Sequence, residues 1–145
     1  MFDNILIICV GNICRSPTAE VLLKHQLGDT NKIIHSAGLG ALVGKNIEPT
    51  ALEILQEHGI TPAQHVARQL TSSMLAEADL ILAMEKGQIN QISNIAPQAR
   101  GKSFLLGKWN NNIEIPDPFR KPKPAFEEAY NLIEQSLNEW IKHLQ

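Results

Sequence analysis

The chain has 145 residues, enough for one domain with a sizeable core. Its 13 basic and 15 acidic side chains leave a formal charge of -2, which gives no ground for a general nucleic-acid or membrane-surface binder. At 43% hydrophobic it is too apolar for a disordered chain, and no apolar run nears the ~20 residues of a membrane span.

Met1-Phe2-Asp3-Asn4 leads straight into Ile5-Leu6-Ile7-Ile8-Cys9, a continuous apolar run of the kind a buried parallel strand requires. Ser16 to about Leu27 has helical spacing, with Gly28 as its stop. Ile33 to Ser36 is a short second strand, and 37–45 is a loop containing Gly38, Gly40 and Gly44. Pro49 to His58 is predicted helical, ending at Gly59. A turn follows at Thr61-Pro62, and a helix starts near Thr71 or Ser72. Leu80 to Ala83 forms a third buried strand, Lys86 to Ile95 a helix, and Lys102 to Leu106 a fourth strand. Residues 109–123 are irregular, with Pro116, Pro118 and Pro122. A last helix carries Phe126, Tyr130, Ile133, Leu137, Trp140, Ile141 and Leu144 at spacings of three and four. This alternation predicts a single-domain α/β fold over 1–145, a parallel sheet with helices on both faces. Functional sites in such sheets lie at the carboxyl ends of strands, which is where Cys9 falls.

The segment from that end reads Cys9-Val10-Gly11-Asn12-Ile13-Cys14-Arg15-Ser16. A thiolate needs positive charge and hydrogen-bond donors, and a helix N-terminus supplies both while offering a phosphate site. The pattern therefore points to Cys9 as a nucleophile for phosphorus, with Arg15 six residues later at the mouth of the helix. Gly11 and Asn12 suit a tight loop, Ser16 and Pro17 are placed as N-cap and first helical residue, and Glu20 is placed for a capping box. The second thiol, Cys14, need do no chemistry. Asp117, fixed between Pro116 and Pro118, is the candidate proton donor, the alternative being an exposed turn. Ser36 follows the second strand and can brace the loop. Phe119, Arg120, Lys121 and Lys123 form either a solvated charge run or a rim for an aryl phosphate. The five histidines lack metal-ligand spacing and are assigned to surface or capping roles, so no metal is expected.

These residues resemble the low-molecular-weight protein-tyrosine phosphatases, through Cys9 to Pro17, Ser36-Ala37-Gly38 and Asp117-Pro118. The likeness covers essentially the whole chain. It is nearest the bacterial branch that accompanies exopolysaccharide and capsule systems, on Ala37 to Gly44, Ile115 to Pro118, and Arg120-Lys121. The resemblance implies a four-stranded parallel sheet and no metal or organic cofactor. A reducing, cytoplasmic setting fits a nucleophilic thiol, and a monomer or weak oligomer with no membrane insertion and no nucleic-acid partner is expected. By resemblance the substrate would be a phosphotyrosine protein, typically a tyrosine autokinase of a polysaccharide export system. By the same likeness Cys9 is nucleophile and Arg15 the phosphate clamp. Backbone N–H groups from Val10, Gly11, Asn12, Ile13 and Cys14 to Arg15 form the cradle, Ser16 hydrogen-bonds the thiolate, and Asn12, Ser16 and Ser36 hold the loop in shape. Asp117 protonates the leaving oxygen and then activates water. Phe119 stands where mammalian members carry tyrosine, and Leu39, Leu42 and Val43 where they carry an aromatic, so one pocket wall should be aliphatic. An arginine phosphatase is the near alternative, disfavoured by Ile13 in place of threonine. A phosphotyrosine-binding module without turnover would need neither Cys9 nor Asp117.

Overall fold

The computed structural model describes residues 2–144; Met1 and Gln145 lie outside it. Four parallel strands, β1 (Asn4–Cys9), β2 (Ile33–Gly38), β3 (Leu80–Ala83) and β4 (Ser103–Leu105), stand in the order β2-β1-β3-β4. Five apolar residues in a row, Ile5 to Cys9, can be buried only if both sheet faces are covered, and β1 divides its side chains accordingly. Ile5, Ile7 and Cys9 join one core and Leu6 and Ile8 the other. The first core is closed by α1 (Arg15–Leu27), α2 (Pro49–Glu57) and α5 (Lys123–Leu144). The second lies under α3 (Ser72–Glu77), α4 (Lys86–Ile95) and a 3-10 turn over Pro97–Lys102.

The long α5 is amphipathic as predicted, burying Phe126, Tyr130, Ile133, Leu137, Trp140 and Leu144. Trp140 Nε1 donates to the Leu106 carbonyl at 2.8 Å, which satisfies its one polar atom inside the core. The helix starts at Lys123, three residues ahead of the first apolar contact, because Pro124 is tolerated in a first turn. β4 is shorter than expected, since the 3-10 turn holds the chain as far as Lys102.

β2 and β3 leave β1 on opposite sides, so the loops after β1 and β3 part and open a crevice at their carboxyl ends. Asp79 fixes the other end of the sheet. Its Oδ2 accepts from the N–H groups of Asp3 and Asn4 at 2.9 and 2.8 Å, clipping the start of β1 to that of β3.

Candidate active site

Residues 9–14 curl into a loop, and hydrogen bonding explains its shape. The carbonyls of Cys9, Val10 and Gly11 accept from the N–H groups of Leu39, Gly40 and Leu42 at 2.9 to 3.0 Å. That of Asn12 accepts from His65 Nε2 at 2.6 Å, and that of Ile13 from Glu48 N–H at 2.8 Å. Cys14 O accepts from the Thr18 amide and hydroxyl at 3.1 and 2.7 Å. In a trans peptide the N–H points opposite to the C=O. With every carbonyl anchored outward, the N–H groups of Val10 to Arg15 face inward, and none has a protein acceptor among the described residues. Such a ring of donors is an anion cradle.

The Gly-rich segment after β2 can supply those outer bonds only because Gly38 lies against the loop. A Cβ there would collide with the Val10 carbonyl oxygen and crowd Asn12 Cβ at 3.1 Å. Asn12 adopts φ 59° in the left-handed region, which asparagine tolerates better than most residues.

Cys9 Sγ lies 2.8 Å from Ser16 Oγ. The fully buried Asn12 amide gives one N–H to Ser16 Oγ at 2.8 Å and the other to Ser36 Oγ at 2.9 Å. Its Oδ1 accepts from Arg68 N–H at 3.0 Å, so the amide orientation is fixed. The Ser36 hydroxyl donates to Glu20 Oε1 at 2.6 Å. Ser16 Oγ accepts from Asn12, and against a Cys9 thiolate its own O–H is the donor, an arrangement that favours the charged sulfur.

Arg15 is buried, and its Nη1 donates to Glu85 Oε2 at 2.6 Å and to the Ile115 carbonyl at 2.7 Å. Nη2 lies 3.7 Å from Asp117 Oδ2, so the rest of the guanidinium fork is available to a ligand. Asp117 is exposed, and its Oδ1 accepts from Phe119 N–H at 3.1 Å, holding a local turn at the rim. Cys9, Val10, Gly11, Ile13, Cys14, Arg15, Leu42, Asp117 and Phe119 line one cavity of about 150 Å³. A larger hollow of about 640 Å³ lies behind the loop; it reaches Glu20, Ser36, His65 and Arg68 but not Cys9. Chemistry belongs to the smaller cavity, since it alone joins the thiol, the guanidinium and the carboxylate.

The structure revises several sequence expectations. The N-cap of α1 is Cys14, not Ser16, and helix begins at Arg15, which makes Pro17 its third residue. No side chain caps this end, because its N–H groups belong to the cradle and the Ser16 hydroxyl to Cys9. Glu20 is no capping-box partner; its carboxylate receives Ser36 and Lys24. Lys123 is not a rim cation, for its ammonium is shared by Glu53 and Glu57 of α2 at 2.6 and 2.7 Å. Of the three aliphatic residues expected at the pocket, only Leu42 lines it. Leu39 packs on the second core, and Val43 is exposed. His65 is no surface histidine, since it holds the Asn12 carbonyl. Glu85 was not singled out at all; its one signal is an acidic residue just past a buried strand, at the same sheet edge as Cys9. Burial, and then Glu48, push the Cys14 thiol well above the ordinary range, so it stays protonated beside Cys9. Both cysteines are free thiols. Among the described residues no cluster of histidine, cysteine, aspartate or glutamate could hold a metal ion.

Residues 4–145 match the family model of the low molecular weight phosphotyrosine protein phosphatases. The chain belongs to that family. The protein-tyrosine-phosphatase Wzb of Escherichia coli K12 is 48% identical over 144 residues, covering 99% of this chain and 97% of the relative. The solved structure of Wzb from Escherichia coli K30 with sulphate superposes with a TM-score of 0.95 at 44% identity, covering all of both chains. The YwlE arginine phosphatase of Geobacillus stearothermophilus also superposes, with a TM-score of 0.90 at 32% identity over 98% of this chain and 92% of its own. The four-stranded sheet and the loop after its first strand are thus those of a phosphatase of this family, a cysteine-dependent phosphoric monoester hydrolase.

Proposed function

We propose that this phosphatase hydrolyses phosphotyrosine on a protein through a phosphocysteine intermediate. The observation that carries the reading is the outward anchoring of every carbonyl from Cys9 to Cys14, which turns the N–H groups inward around a thiol bonded to Ser16. The cradle and the free edge of Arg15 take the phosphoryl oxygens, presenting phosphorus to Cys9 sulfur. The thiolate attacks, the P–O bond to tyrosine breaks, and Asp117 gives its proton to the leaving phenol oxygen. Asp117, now a carboxylate, takes a proton from water, which attacks phosphorus and expels the Cys9 thiolate. The Ser16 hydroxyl receives that thiolate.

The apolar Ile13, Leu42 and Phe119 around the cavity suit a flat aromatic ring better than the polar guanidino group of phosphoarginine. The physiological substrate would be a tyrosine autokinase that controls exopolysaccharide or capsule production. The reducing cytoplasm suits a nucleophilic thiol. No helix among the described residues is long and apolar enough to cross a membrane.

The test is release of phosphate from a phosphotyrosine peptide and from phosphoarginine, without added metal, by wild type and Cys9→Ser. Release from phosphotyrosine that depends on Cys9 is expected, with the variant still binding substrate. Turnover unchanged in Cys9→Ser refutes the mechanism, and preference for phosphoarginine refutes the substrate class.

A further inference from the structure

The catalytic cavity, at about 150 Å³, is well under the ~300 Å³ at which ordinary small-molecule sites begin. It accommodates a ring and a phosphoryl group, and the polypeptide bearing them must lie outside. Three of its wall residues, Ile13, Leu42 and Phe119, also line a second, shallower groove of about 630 Å³. Beyond them the groove is floored by Ile47, Pro49 and Leu52, with Lys45 and Glu48 at its edge.

The groove is tied to the phosphate loop by backbone bonds. Glu48 N–H donates to the Ile13 carbonyl at 2.8 Å, and Leu42 N–H to that of Gly11 at 3.0 Å. Lys45 is pinned between Leu42 O, 3.1 Å from its N–H, and Ala67 N–H, 2.9 Å from its carbonyl. The floor therefore keeps its place relative to Cys9.

Its charges are not equivalent. The Glu48 carboxylate is engaged as the cap of α2, accepting from Thr50 and Ala51 N–H at 3.1 and 3.2 Å. Lys45 is exposed and makes no salt bridge among the described residues. The groove thus presents an apolar floor and one uncommitted cation.

We infer that this groove receives the substrate polypeptide beside the phosphotyrosine, selecting an apolar residue on the Ile47 and Leu52 floor and an acidic residue against Lys45. The inference rests on the phosphotyrosine reading above. It also assigns specificity to a loop and a helix start that take no part in bond breaking.

The experiment compares p-nitrophenyl phosphate with phosphotyrosine peptides carrying Leu and Glu, Leu and Lys, or Ala and Ala next to the phosphotyrosine, each pair placed before or after it. The quantity read is kcat/KM for peptide divided by kcat/KM for p-nitrophenyl phosphate, in wild type, Lys45→Met, Lys45→Glu and Leu52→Ala. In one of the two placements, wild type should favour Leu-Glu over Leu-Lys by about 2- to 10-fold, the range open to exposed ion pairs acting on both peptides. Lys45→Met should remove that preference and Lys45→Glu reverse it. Leu52→Ala should narrow the gap between Leu-Glu and Ala-Ala. No dependence on flanking residues in either placement overturns the inference, as does a Leu-Glu preference that survives in Lys45→Glu. Failure of wild type to cleave p-nitrophenyl phosphate with Cys9 intact counts against the phosphatase reading itself, and is recognised separately.

Discussion

Replacing Asn12 should be among the most damaging single changes away from the reacting atoms. Its side chain makes three hydrogen bonds, to Ser16, Ser36 and the Arg68 amide, at 2.8, 2.9 and 3.0 Å, the first two fully buried. Each buried hydrogen bond lost costs ~1 kcal/mol or more, so losing the two buried ones should remove at least about 2 kcal/mol of folding stability. Alanine at φ 59° adds ~1 kcal/mol of backbone strain that glycine avoids. Asn12→Ala and Asn12→Gly therefore share the hydrogen-bond loss and differ by the strain. Urea unfolding of both gives the stabilities, and kcat/KM on an aryl phosphate gives the chemistry. The Ser16 hydroxyl, freed from its donor, can rotate away from Cys9 sulfur, so activity should fall at least tenfold in each variant. A loss under about 1 kcal/mol in Asn12→Gly, or near-normal activity, would refute the claim that this amide organises the loop.

Glu85→Ala should lower kcat/KM about tenfold or more by releasing Arg15 Nη1 on one side, with partial rescue by Glu85→Gln; full activity would mean the Ile115 carbonyl alone orients the guanidinium. Gly38→Ala should weaken phosphate binding and lower the melting temperature, because the added methyl drives the Val10 carbonyl from its place; isothermal titration with inorganic phosphate reads the first effect. Backbone N–H donors to Asp79 hold its carboxyl below the ordinary aspartate range. As pH falls the unfolded chain takes up that proton first, so the stabilisation is complete above the ordinary range and is lost through the lower native value. The urea midpoints of wild type and Asp79→Asn should accordingly converge below pH 4 and separate by pH 6. The single tyrosine, Tyr130, is pushed up to about 12 by burial and then by Glu134. Phenolate absorbance of the folded protein should therefore show no transition near 10, and stability should decline as pH climbs past that value, where the unfolded chain ionises first.

Local chemistry made much of this protein readable from its sequence. Apolar runs bounded by turn residues located the strands, three-and-four spacing located α5, and the motif Cys9 to Arg15 marked the loop that joins a thiol and a guanidinium in one cavity. Parallel alternation placed Cys9 at a carboxyl edge. What the sequence could not decide was where side chains meet when distant in the chain. Ser16 looked like a helix cap because that is the local use of serine before proline, yet a thiol seven positions away claims its hydroxyl. Glu20 looked like its partner, but β2 brings Ser36 to that carboxylate instead. His65 carries no local signal and Glu85 only its place just past a buried strand, since their work is to hold Asn12 and Arg15, 53 and 70 residues away. Hydrophobic periodicity is written within each element and fixes the sheet. The cradle depends on outward partners for its carbonyls, and for all but Cys14, which Thr18 holds locally, only the crossovers of the folded chain deliver those.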